Sequence, residues 1–172
     1  MKALLGEWKG VTCNRDRQVM GLDLSEESIS GGFDNLSTLF ALQYLLVLNL
    51  SYNDFNSMIP SSFSKLHKLT YLNLAYAGFR GHIPMEISQL SRLLTLHLSV
   101  SQPMELEIDL GKLVLNLTKV RQLHVDGVSI SAHGQEWRTT LLQIPTLLEL
   151  SMLHDLESFI DKYRVMGKTD DS

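Results

Sequence analysis

The stretch LVLNLSYNDFNSMIP, residues 46–60, decides how this chain folds. Leu48 and Leu50 alternate with Val47, Asn49 and Ser51, the period-2 pattern of a strand with one buried face. So short a strand cannot hide its leucines alone, which raises the question of whether it recurs. Leu42, Leu45, Leu48 and Leu50 return 24 residues later as Leu66, Leu69, Leu72 and Leu74, and after another 24 as Leu90, Leu93, Leu96 and Leu98. Phe55 matches Phe79, and Ile59-Pro60 matches Ile83-Pro84 at the same offset. Self-similarity at a fixed period of this size marks a stack of repeated units.

Weaker copies flank these three. Leu22, Leu24 and Ile29 form a first coil. Leu117, Val120, Leu123 and Val125 with Ile130 follow the third copy at an offset of 27, and Ile144, Leu147, Leu150 and Met152 follow after a further 27. The expected architecture is α/β: about six coils, each lending a strand to one parallel sheet over a continuous apolar core. Parallel pairing needs a long return path, which the segments between strands supply. Pro60 and Pro84 suit extended chain on that path. Ser61–Leu66 and Met85–Leu90 then read as short helical or 3₁₀ turns with Phe63 and Ile87 facing inward.

Composition narrows the function classes. With 172 residues, a net charge of −4 and a pI near 5.8, the chain has room for a core and no basic footprint for nucleic acid. The single cysteine, Cys13, cannot form an internal disulfide. The opening MKALLGEWKG is too short for a signal-peptide apolar region, and Leu39–Leu50, interrupted by Gln43 and Asn49, falls short of a membrane span. No Ser-His-Asp order, phosphate-cradling glycine loop or CxxC pair is present, so catalysis and cofactors are not expected.

The pattern LxxLxxLxLSYNxFxxxIPxxFxxL resembles the plant extracellular type of leucine-rich repeat, most clearly at residues 42–98 and recognisably over 19–156. Trp8-Lys9-Gly10-Val11-Thr12-Cys13 is similar to the end of that family's N-terminal cap, which makes residues 1–18 a partial cap. The resemblance is to the N-terminal part of receptor-like proteins and receptor-like kinases. It implies a right-handed solenoid with the sheet on its concave face. It also implies a non-enzymatic module at the cell surface that recognises a protein or peptide, with a co-receptor kinase as a further partner, in defence or developmental signalling. Rival expectations are a secreted inhibitor-like repeat protein that binds a microbial enzyme, and a remnant without a binding role. Leu5 and Gly6 stand where the family cap has cysteines, so Cys13 lacks its expected partner and the chain reads as a shortened or divergent copy, without membrane contact of its own. The family's post-strand asparagine is present as Asn53, whereas Glu27, Ala77, Ser101, Val128 and Asp155 occupy the equivalent places. Each missing amide threatens unpaired backbone groups, at roughly 1–3 kcal/mol apiece.

The candidate partner-binding residues are the outward strand positions. They are Asp23; Val47, Asn49, Ser51 and Tyr52; Tyr71, Asn73 and Tyr76; Thr95 and His97; Gln122, His124 and Asp126; and Glu149. The tyrosines offer large amphipathic surface at low entropic cost, and the bland alternative is a merely solvated sheet. His97 and His124 fall at equivalent places on adjacent strands, about 5 Å apart, but two histidines without a fixed third ligand do not make a metal site. Sequons start at Asn35, Asn49 and Asn116 and matter only in the secretory pathway. The longer segment 99–116 is expected to bulge sideways, with Glu105, Glu107 and Asp109 as a solvated edge. Leu153, Leu156, Ile160 and Tyr163 have helical spacing, so a helix over 153–165 is expected to fold back on the last coil. Residues 157–172 comprise the end of that helix and a polar tail expected to be disordered.

Overall fold

The computed structural model describes residues 8–32, 38–101, 106–114, 116–130, 141 and 144–152. In chain order its strands are β1 (Val11–Cys13), β2 (Val19–Asp23), β3 (Val47–Asn49), β4 (Ser57–Met58), β5 (Tyr71–Asn73), β6 (Phe79–His82), β7 (Thr95–His97), β8 (Leu106–Ile108), β9 (Gln122–His124), β10 (Ser129–Ile130) and β11 (Glu149–Ser151). The larger sheet runs β1-β2-β3-β5-β7-β9-β11. Only β1 is antiparallel, forming a hairpin with β2; every later pair is parallel.

The register is the one that the leucine spacing demands. Leu22, Leu48, Leu72, Leu96, Leu123 and Leu150 are direct neighbours along the sheet. Leu48, Leu72, Leu96 and Leu123 are wholly buried, and Leu50, Leu74 and Leu98 lie beneath them in the same core. A one-residue slip on any strand would turn these leucines out to water. Between strands, Ser61–Lys65 and Met85–Gln89 form 3₁₀ turns that bury Phe63 and Ile87 completely, each entered from an extended proline. Phe55 and Phe79 stack at 5.2 Å between centroids, and Phe40 meets Phe63 edge-on at 5.4 Å.

A second, four-stranded parallel sheet, β10-β8-β6-β4, runs along the return side, where the sequence suggests extended chain and short helical turns but no sheet. It corrects the expected bulge at 99–116. Leu106 and Ile108 alternate with Glu107 and point their apolar side chains into the core, so β8 pairs with both β6 and β10. After β8 a short helix, α1 (Leu110–Val114), takes the place of the 3₁₀ turn, started by Asp109 accepting a hydrogen bond from the Lys112 amide at 3.1 Å. Of the acidic trio, Glu107 lies 3.2 Å from His82 and Asp109 lies 2.8 Å from Lys112, whose hydrogen bonds hold the Asp109 carboxyl below its usual value. Glu105 lies outside the described residues, as do Asp155, the expected helix over 153–165 and the polar tail.

Asn53 acts as expected. Its amide nitrogen donates to the carbonyls of Leu24 (2.8 Å) and Leu50 (2.9 Å), and its oxygen accepts from the Ile29 amide at 2.9 Å. Where Ala77 stands in place of the amide, main chain takes over one of these bonds: Phe55 N, the equivalent of Ile29 N, donates to Ala77 O at 2.9 Å. The coil-to-coil bonds Tyr52 N to Ala75 O, Tyr76 N to Ser99 O and Val100 N to Asp126 O, all within 3.0 Å, match the one from Glu26 N to Ser51 O beside Asn53 itself. Backbone bonds thus join the turns whether or not the asparagine is present, and Ala77 is buried at its place in the stack.

Candidate functional site

Because inward positions are nearly all leucine, chemical variety collects on the opposite face of the larger sheet. Two rows of outward residues cross it in register. One is Gly21, Val47, Tyr71, Thr95, Gln122 and Glu149; the other is Asp23, Asn49, Asn73, His97, His124 and Ser151. All the sequence-derived candidates lie in these rows or in the turns that follow the strands.

Local chemistry holds the second row in place. Asp23 accepts from the amide (3.0 Å) and hydroxyl (2.7 Å) of Ser25, Asn49 does the same with Ser51, and Asn73 accepts from the Ala75 amide at 3.0 Å. A side chain that bonds its own backbone two residues on is an ordinary turn former. Partial burial opposes ionisation of Asp23, yet Ser25, Asn49 and the Lys9 charge together bring its carboxyl below the usual value. Ser51 and Asn73 are buried at 2% and 8% exposure, so they brace the face from beneath and offer it little surface.

One step further on, Glu26, Tyr52, Tyr76 and Gly127 occupy equivalent turns, all in the left-handed region at φ 60°, 56°, 54° and 75°. This backbone aims the tyrosines along the face, where their rings stack at 5.1 Å and 25°. Burial, the neighbouring Tyr52 and the Asp126 carboxylate raise the Tyr76 phenol above its ordinary value. Val100 breaks the series: a β-branched residue avoids the left-handed region, and its side chain turns inward instead. Glu26 belongs to the face and is absent from the sequence-derived set, although its 26-residue offset from Tyr52 was there to be read.

The C-terminal half of the face is a polar network. Thr95 donates to Gln122 at 2.7 Å, and Gln122 donates to Glu149 at 2.8 Å. Asp126 accepts from Ser99 at 3.2 Å and from Ser151 at 2.6 Å. The His97 and His124 rings stand 4.5 Å apart, with His124 3.7 Å from Glu149. Burial and the neighbouring His124 lower the His97 pKa against the opposing pull of Asp126 and Glu149. Among the described residues no three His, Cys, Asp or Glu side chains are grouped to hold a metal ion.

At the N-terminal end, the Thr12 side chain packs over Gly21, 3.2 Å from where a Cβ would stand. A hollow of about 440 Å³ lies there, lined by Gly10, Thr12, Met20, Gly21, Leu22, Asp23, Leu46 and Val47. Beside it a more polar hollow of about 450 Å³ is lined by Lys9, Gly10, Asp23, Ser25, Glu26 and Glu27. Neither was anticipated, because each is bounded by residues from separate segments of the chain. Of the sequon asparagines, Asn116 is exposed, Asn49 is half-buried and Asn35 lies outside the described residues.

Comparison with known proteins adds a sequence and a structural likeness. A family model described as Leucine Rich Repeat matches residues 44–66. Receptor-like protein 6 of Arabidopsis thaliana is 41% identical over 134 residues, covering 73% of this chain and 14% of that protein. The chain thus spans about a seventh of that relative's length. Among solved structures, the PEPR1–AtPEP1 complex superposes with a TM-score of 0.71 at 28% identity, over 85% of this chain and 19% of that one. The BIR3–SERK2 complex from Arabidopsis thaliana gives 0.60 at 25% identity, over 76% of this chain and 69% of that one.

Proposed function

We propose that the chain, which resembles the plant leucine-rich-repeat receptor-like proteins in sequence, is a non-enzymatic module that recognises a protein or peptide with the outer face of its larger sheet. One observation carries this reading. Along six parallel strands the inward position is always leucine, while the outward positions change chemistry from strand to strand. A solvated sheet has no need to hold a half-buried tyrosine, a stacked tyrosine pair and an exposed valine side by side, whereas aromatic anchors on a rigid support are what binding surfaces use.

PEPR1 and BIR3 are seen in complexes with AtPEP1 and SERK2, which supports a peptide, or a second receptor such as a co-receptor kinase, as the class of partner. On this reading the chain works at the cell surface or outside the cell. Of the two described sequon asparagines, Asn116 is then the exposed one, open to a glycan, while Asn49 is half-buried between two neighbouring strands with its side-chain oxygen accepting from Ser51. Tyr71→Ala with Tyr76→Ala is expected to abolish capture of a partner isolated by pull-down and to leave the melting temperature within a few degrees. Retained capture would move the site elsewhere.

A further inference from the structure

The outer face carries charge of one sign on its own strands and turns, while Lys9, at the margin beside Asp23, pairs with Glu27 at 3.0 Å. Its strand and turn positions carry Asp23, Glu26, Asp126 and Glu149, and none carries Lys or Arg. The chain as a whole has 19 acidic and 15 basic residues, so outside these four the two signs balance and the net −4 equals the charge of this face. Nor are the four spread evenly. Asp23 and Glu26 lie at the β2 end; Asp126 and Glu149 lie at the β9–β11 end. Between them stand Val47, Tyr52, Tyr71 and Tyr76, without charge.

We propose that this face binds an extended peptide that crosses the strands and carries two cationic side chains about six residues apart, with apolar or aromatic residues between them. The inference rests on the recognition reading above and adds the chemistry of the ligand. The spacing follows from the sheet. Four strand steps separate β2 from β9, about 19 Å at the usual strand spacing, which an extended peptide covers in about six residues. At the first pole the cationic stem lies over the hollow beside Gly21, and its head meets Asp23. In the middle, apolar residues cover Val47 and the stacked tyrosines, whose ring faces also attract cations. At the second pole the Ser99 and Ser151 hydroxyls fix Asp126, and Gln122 fixes Glu149, so both carboxylates are positioned before the ligand arrives.

The histidine pair makes the second pole sensitive to pH. The titratable groups around it are Tyr71 and Tyr76 on the β5 side, Asp126 after β9 and Glu149 on β11. Protonated imidazoles would place positive charge against these carboxylates and compete with the ligand's cation, so affinity falls on acidification.

The test uses fluorescence anisotropy with the full chain and a fluorescein-labelled decapeptide carrying two arginines six positions apart with leucine and tyrosine between them. The control peptide has glutamines in place of both arginines. The arginine peptide is expected to bind about tenfold more tightly at neutral pH. Asp126→Asn with Glu149→Gln should remove most of that advantage and flatten its decline toward about pH 5. Equal binding of both peptides, sensitive to Tyr71→Ala and Tyr76→Ala, would overturn the cationic ligand and leave the recognition face standing. Binding of neither peptide would also overturn it, while partner capture tests the recognition face separately. An arginine advantage untouched by the two carboxylate changes would refute the proposed second pole.

Discussion

Residues 46–94 and residues 95–152 solve the same problem in different ways. In the first region the coils repeat every 24 residues, the strand-end asparagines bond their own turns, tyrosines take the left-handed corner and an Ile-Pro step leads into a 3₁₀ turn. In the second region the coils run to 27 residues, histidines replace the asparagines, Val100 and Gly127 replace the tyrosines, and α1 replaces the 3₁₀ turn. The inward leucines and the coil-to-coil backbone bonds persist across both. What survives the change is what holds the stack together; what varies is free to specify a ligand. That division lets one scaffold carry an aromatic surface in one half and a polar, ionisable one in the other.

The largest expected effect tests the shared part. Leu72→Ala, in the wholly buried leucine row, should cost about 3 kcal/mol or more in denaturant unfolding, because neighbours on both sides prevent collapse into the cavity. Leu150→Ala changes the same register position on the sheet's edge strand, where the side chain is 41% exposed, and should cost below about 1 kcal/mol. Similar losses at both sites would mean that the stack is not supported by its neighbours.

The next largest separates the amide rung from its substitutes. Asn53→Ala leaves the Leu24 and Leu50 carbonyls and the Ile29 amide without a partner and should cost about 2 kcal/mol. Ser101→Ala, at the equivalent but exposed place, should stay within about 0.5 kcal/mol. At the corners, Gly127→Ala puts a Cβ 2.5 Å from the Val100 carbonyl oxygen at a φ of 75° and should cost about 1–3 kcal/mol by thermal melting. Tyr76→Gly, at the same corner two coils earlier, relieves left-handed strain while losing the ring stack, and should be close to neutral.

How much of this was legible in the sequence follows from the same contrast. The leucine register, the inward Phe63 and Ile87 and the outward rows could be read because a 24-residue offset and period-2 alternation are local, repeated signals. The second sheet was missed. Its strands are only two to four residues long, and β8 is lined up by β6 and β10 more than by any pattern of its own. Which coils lack the asparagine is plain from the sequence, but the bond from Phe55 N to Ala77 O that stands in for one depends on how coils superpose, which no single coil encodes. On the outer face, the strand and turn positions of the candidates follow from the alternation, whereas the burial of Ser51 and Asn73 and the hollow near Gly21 are products of neighbouring strands.

The smallest expected effect is in the histidine pair. His97 has a folded pKa below its ordinary value, chiefly through burial, so the folded state prefers the neutral ring and the unfolded chain binds the proton more readily. Stability should therefore fall as pH drops through the ordinary histidine value near 6.5, and rise again toward neutrality. His97→Asn should flatten that slope in melts recorded across the window. In the first region, where Asn49 and Asn73 hold the equivalent places, no such slope is built in.

The most direct test is oxidative footprinting of the chain with and without a bound peptide partner. Tyr52, Tyr76 and His124 should become protected, while Met58 and Met85, exposed at 72% and 55% on the return side, should oxidise at unchanged rates. Protection of the two methionines with the tyrosines still reactive would place the working surface on the other side of the molecule.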